Sequence, residues 1–88
     1  MKVLVDKSFE KDTNKILDKK LLQKISDCIE QVIACKSATD IQHLKKLQGF
    51  KNHYRIKIGD YRLGVVINNE EVTFERFLHR KDIYKYYP

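Results

Sequence analysis

The chain has 88 residues, its single proline at the last position and a hydrophobic fraction of 42%, which describes one domain (1–88), small but able to hold one core. A formal charge of +6 and a pI near 9.4 point to an anionic partner: RNA, DNA or an acidic protein. No stretch approaches the roughly 20 apolar residues of a membrane-spanning helix, and no apolar run of signal-peptide length opens the chain, so a cytoplasmic protein without a membrane partner is expected.

Residues 2–6 read as a short strand built on Val3, Leu4 and Val5. Asp6 or Ser8 can cap a first helix over about residues 8–17, with Phe9, Ile16 and Leu17 on one face. Asp18 offers a second cap. Leu21, Leu22, Ile25, Cys28, Ile29, Val32 and Ile33 then form a wide helical stripe over about residues 20–35. Cys28 and Cys35 on one helix are separated by about 10 Å of rise, too far for a disulfide, so both are expected as reduced apolar residues. Ile41, Leu44 and Leu47 are spaced by three, which allows a helical turn and an apolar latch.

Residues 54–58 and 61–67 predict a tight hairpin. Tyr54, Ile56 and Ile58 alternate with Arg55 and Lys57, as a half-buried strand requires. Gly59-Asp60 is a loop with glycine first, which suits a type II′ turn. That loop sets Lys57 opposite Arg62 and Arg55 opposite Gly64. Like charges directly opposite are unfavourable, and Gly64 is expected to leave open space beside Arg55. A groove for a polyanion accounts for this arrangement better than folding does.

Asn68-Asn69-Glu70-Glu71 makes the next turn, and residues 72–78 the last strand. That strand carries Val72, Phe74 and Leu78 on one face and Phe77 on the other, a pattern of a central or bulged strand. The resulting order is β-α-α-β-β-β. It predicts an α+β layer, an antiparallel sheet with two helices packed on one face. The other face is left free and carries Arg55, Lys57 and Arg62.

At these residues the chain resembles the RelE/ParE superfamily of toxins from type II toxin–antitoxin systems. The likeness rests on Leu44-Lys45-Lys46-Leu47, on Tyr54-Arg55-Ile56-Lys57-Ile58-Gly59-Asp60-Tyr61-Arg62-Leu63, and on the terminal His79-Arg80-Lys81-Asp82-Ile83-Tyr84. It implies the microbial-ribonuclease-like RelE fold and a cognate antitoxin. It also implies one of two activities: RelE-type cleavage of mRNA on the ribosome, or ParE-type inhibition of DNA gyrase. The RelE pattern uses basic residues on the two middle strands, which here are Arg55, Lys57 and Arg62. It adds a basic residue after the last strand, here Arg80 or Lys81, and a tyrosine near the C-terminus, here Tyr84 or Tyr87. A toxin-like protein that only binds its antitoxin is a third reading.

RNA cleavage by 2′-hydroxyl attack needs a base, an acid and cations around the transition state. Arg62, with Arg80 or Lys81, suits the cationic role, because guanidinium binds phosphate oxygens bidentately. Lys57 can serve as base or as a further cation. A tyrosine can stack on a base or assist proton transfer. His79 has both a catalytic and a structural reading, the second closing the last strand. The sequence holds no metal-ligand spacing, so chemistry without a metal or cofactor is expected.

Overall fold

The computed structural model describes residues 1–88. The expected α+β order is present: strand β1 (Lys2–Val5), helix α1 (Lys7–Asn14), helix α2 (Lys19–Ala34), then strands β3 (His53–Ile58), β4 (Tyr61–Asn68) and β5 (Glu71–His79). Two elements join them, a short strand β2 (Leu44–Lys46) and a one-turn helix α3 (Ile83–Tyr86). The five strands lie in the order β1-β5-β4-β3-β2. Four of them run antiparallel to their neighbours. β1 pairs parallel to β5, Val3 facing Val72 and Val5 facing Phe74: the two helices carry the chain to the far edge of the sheet, and three antiparallel steps from β2 bring β5 alongside β1 in the same direction.

Asp18 starts α2: its carboxylate accepts from the backbone N–H of Lys20 at 2.9 Å and of Leu21 at 3.2 Å, a cap that contributes about 1 kcal/mol. The apolar stripe of α2 then turns Ile25 and Val32 onto the sheet. There they meet Phe9 of α1 and the inward side chains Ile56, Leu63, Val65, Ile67, Val72, Phe74 and Phe77. Phe9 packs edge-on to Phe74 with ring centroids 5.5 Å apart. Cys28 is half-buried and Cys35 buried, both as free thiols.

The latch differs from the helical turn that its spacing suggested. A 3₁₀ turn covers Ala38–Asp40, and the latch itself is β2, paired antiparallel with β3. In a strand, residues three apart point to opposite faces. Leu44 accordingly packs on the main core, while Leu47 joins a second cluster with Ile83 and Tyr87.

The last strand differs too. The ladder between β4 and β5 shifts between Gly64 and Val65: Gly64 faces Arg76 and Val65 faces Phe74, so Glu75 is left over. This β-bulge returns Phe77 to the side of Phe74 and sends Leu78 to the second cluster, the reverse of the simple alternation. The bulge is tied to α1 by Asp12. Its carboxylate accepts from Arg76 Nε at 2.7 Å and from the Phe77 backbone N–H at 2.9 Å.

The second cluster also corrects the expectation that the face away from α1 and α2, the outer face, is bare. Ile83, Tyr87, Leu47 and Leu78 form a small apolar patch there, under α3. The ring of Tyr87 lies against Gly64: a Cβ at that position would sit 2.8 Å from two of its ring carbons. The space beside Arg55 is therefore filled, not open.

Candidate functional site

The β3–β4 hairpin has the predicted register. Arg55 faces Gly64, Lys57 faces Arg62, and Gly59 opens the turn at φ +53°, a conformation that suits glycine. Because Ile56 and Leu63 are buried in the main core, their neighbours Arg55, Lys57 and Arg62 project from the outer face. The Arg62 guanidinium is held from below. Its Nη1 donates to the carbonyl oxygens of Gly59 and Tyr61, both at 2.9 Å, and its Nε and Nη2 have no protein partner. Partial burial, then the charges of Arg55 and Arg80, lower its pKa from the usual arginine value; Tyr84 and Asp60 act the other way. Arg62 thus stands in a cationic cluster that includes Arg55 and Arg80.

Arg80 reaches that cluster through the backbone. Its N–H donates to the Asp60 carbonyl at 2.8 Å, which fastens the end of β5 to the hairpin turn. Lys81 is exposed, and its backbone N–H donates to His79 Nδ1 at 3.2 Å. His79 packs edge-on to Tyr61 with ring centroids 5.5 Å apart. It is the last residue of β5. His53 is held between Phe50 and Tyr87, with centroid distances of 5.4 and 5.7 Å.

The two candidate tyrosines have opposite environments. Tyr84 is 65% exposed, and its hydroxyl accepts from Arg55 Nε at 3.1 Å. Tyr87 is 5% exposed, and its hydroxyl is buried with no hydrogen-bond partner. Desolvation, reinforced by the Glu75 carboxylate, pushes the Tyr87 phenol well above the usual tyrosine pKa.

None of Arg55, Lys57, Arg62, Arg80 and Lys81 belongs to either of the ion pairs in the molecule, Lys2–Glu71 at 3.8 Å and Asp12–Arg76 at 2.7 Å. A further cation, which the sequence alone reads as solvated surface charge, stands beside this row: Lys45 pairs directly with Arg55 across β2 and β3. Recognising residues 44–46 as a strand is the signal that would have found it. On the other side of the sheet an open cleft of about 330 Å³ lies between α2 and the end of β3, lined by Lys24, Asp27, Gln31 and His43 among others. No group of side chains in the chain has the composition of a metal site.

Comparison with known proteins identifies the family. Residues 3–84 match the family model described as ParE toxin of type II toxin-antitoxin system, parDE. The chain is 40% identical over 89 residues to Toxin RelE3 of Methanocaldococcus jannaschii, with all of both chains covered. Among solved structures it is similar to the RelB-RelE antitoxin-toxin complex from Methanococcus jannaschii, with TM-score 0.80 and 35% identity over 97% of this chain and 99% of that one. YafQ from Escherichia coli shares the fold, with TM-score 0.70 and 17% identity over 93% and 96% of the two chains. With the family model covering nearly the whole chain, this protein belongs to the RelE/ParE family, the toxins of type II toxin–antitoxin systems.

Proposed function

We propose that this toxin is an endoribonuclease that cuts mRNA on the ribosome and so blocks translation. One observation carries the reading. Arg55, Arg62 and Arg80 crowd together, Lys57 stands opposite Arg62 in the ladder, and no carboxylate pairs with any of them. Like charges so placed cost folding energy, and a phosphate chain would offset that cost.

In this mechanism the 2′-hydroxyl attacks the adjacent phosphorus, and the bond to the 5′-oxygen breaks, leaving a cyclic phosphate and a free 5′-hydroxyl. Arg62 and Arg80 stabilise the charge on the phosphorane, a role that typically supplies the largest share of catalysis. The unused Nε and Nη2 of Arg62 form the edge for bidentate contact. Lys57 takes the proton of the attacking hydroxyl. Tyr84, held by Arg55, stacks on a base and returns a proton to the leaving oxygen. Lys81 lies at the rim and contributes charge. No metal or cofactor enters this scheme.

A cognate antitoxin completes the system. Solved relatives are toxin–antitoxin complexes, and a chain of charge +6 suits an acidic partner. Binding the folded toxin would raise its melting temperature by mass action.

The test is cleavage of mRNA on programmed ribosomes by purified protein. Cuts in the mRNA support the proposal. Intact mRNA together with stalled gyrase would favour the second reading, a ParE-type gyrase inhibitor, which draws its support from the matching family model. Intact mRNA, active gyrase and tight antitoxin binding would indicate a toxin-like binding protein.

A further inference from the structure

Helix α3 has four residues, too short to hold its place without tertiary anchors. Ile83 and Tyr87 are those anchors, both buried in the second cluster. Tyr84 lies between them in sequence and points instead to the cations. The seat of Tyr87 is unusually specific. Its ring covers Gly64 so closely that a Cβ there would stand 2.8 Å from Cδ2 and Cε2 and 2.9 Å from Cδ1. Gly64 is also the residue directly opposite Arg55, whose Nε donates to Tyr84. The seat of one tyrosine and the hydrogen-bond donor of the other therefore occupy one row of the sheet.

We infer that Tyr87 and Gly64 are positioning residues: they fix α3 so that the Tyr84 hydroxyl reaches Arg55, and Tyr87 itself takes no part in the chemistry. The inference rests on the site proposed above and deepens it. The buried, partnerless phenol of Tyr87 supports it. Such a group stays protonated at working pH and touches no surface that a substrate can reach. The ring fills the seat; the hydroxyl lies near the Glu75 carboxylate without the geometry of a hydrogen bond to it. Glycine is required at position 64 because any side chain would displace the ring and with it the turn that carries Tyr84.

The test compares Tyr87→Phe, Tyr84→Phe and Gly64→Ala by mRNA cleavage on programmed ribosomes. In parallel, NMR follows the solvent exchange of the Arg55 Nε–H, which reads the Tyr84 contact without any need for activity. Tyr87→Phe removes only an unpartnered hydroxyl, so it is expected to fold, to cleave within about twofold of the parent and to keep the Nε–H protected. Tyr84→Phe is expected to lose about ten- to a hundredfold in cleavage and to lose the protection. Gly64→Ala should match Tyr84→Phe in both readouts, and combining the two should cost nothing further, the mark of residues acting through one contact. Should Gly64→Ala fail to fold, Tyr87→Leu, which keeps apolar bulk but not the ring, takes its place. A folded Tyr87→Phe that loses tenfold or more (about 1.4 kcal/mol of barrier) with protection intact would overturn the inference. So would a folded Gly64→Ala protein with parental protection. If the parent cuts no RNA, the ribonuclease reading fails, and the exchange measurement alone decides the positioning role.

Discussion

The backbone N–H of Arg80 donates to the carbonyl of Asp60 at 2.8 Å, across 20 residues of chain. This bond joins the tip of the β3–β4 hairpin to the end of β5. It brings the Arg80 charge within influence of Arg62, whose guanidinium is anchored on the carbonyls flanking Asp60. Two arginines far apart in sequence thus share one turn as their platform.

Arg62→Ala should abolish toxicity while the protein stays folded. The side chain stands on the outer face, so its loss opens no core cavity. It also relieves repulsion with Lys57, Arg55 and Arg80. A lost transition-state contact of about 3–4 kcal/mol slows cleavage roughly a hundred- to a thousandfold. Circular dichroism and cleavage on programmed ribosomes check it. A folded variant that cuts at the parental rate would show that the chemistry lies elsewhere.

Binding of a single-stranded RNA oligonucleotide should weaken steeply with salt. Each phosphate neutralised contributes about 0.7 to the slope of log K against log salt. With Arg55, Lys57, Arg62 and Arg80 engaged, a slope of about −2 to −3 is expected, and Arg55→Ala should reduce it by about 0.7. Fluorescence anisotropy across a salt series measures this, and a slope near zero would rule out a phosphate-binding face.

Asp12→Ala should destabilise the fold by about 2–3 kcal/mol, because the half-buried Arg76 and the Phe77 N–H both lose their acceptor at the bulge. Urea denaturation should show a lower midpoint with an unchanged slope. Asp12→Asn, which keeps one acceptor oxygen, should cost less.

Stability should fall on the alkaline side. Burial pushes the Cys28 thiol from 9.0 to about 11, so the folded state holds its proton where the unfolded chain has released it. Its contribution is fully present below pH 9 and is lost as the pH rises towards 11, with a total of at most about 2–3 kcal/mol. The buried Tyr87 phenol adds a loss of the same sign starting near its ordinary value of 10. Cys28→Ala should flatten the profile between these two onsets, and Tyr87→Phe the part above. Thermal melts from pH 7 to pH 10.5 would show it, and a Cys28→Ala profile superposable on the parent's would refute the assignment.

Local patterns alone determined the first strand, the two long helices, the three long strands, the hairpin register and the cationic character of one sheet face. The stripe from Leu21 to Ile33 and the alternation from Tyr54 to Ile58 are periodicities that burial imposes, and Gly59-Asp60 dictates its turn by backbone sterics. The register then placed Lys57 beside Arg62 without any long-range information. What depends on contacts distant in sequence stayed hidden. A spacing of three at Ile41, Leu44 and Leu47 suits a helix, and only the free edge of β3 makes that segment a strand. Simple alternation misplaces Phe77 because the bulge at Glu75 depends on pairing with β4. Tyr84 and Tyr87 are equivalent in sequence, and so are Arg80 and Lys81. The tertiary structure separates the tyrosines by burying Tyr87 on Gly64, because packing, not residue type, decides which side chain meets solvent; Arg80 and Lys81 both stay exposed, and the backbone bond to Asp60 ties Arg80 to the turn that carries Arg62.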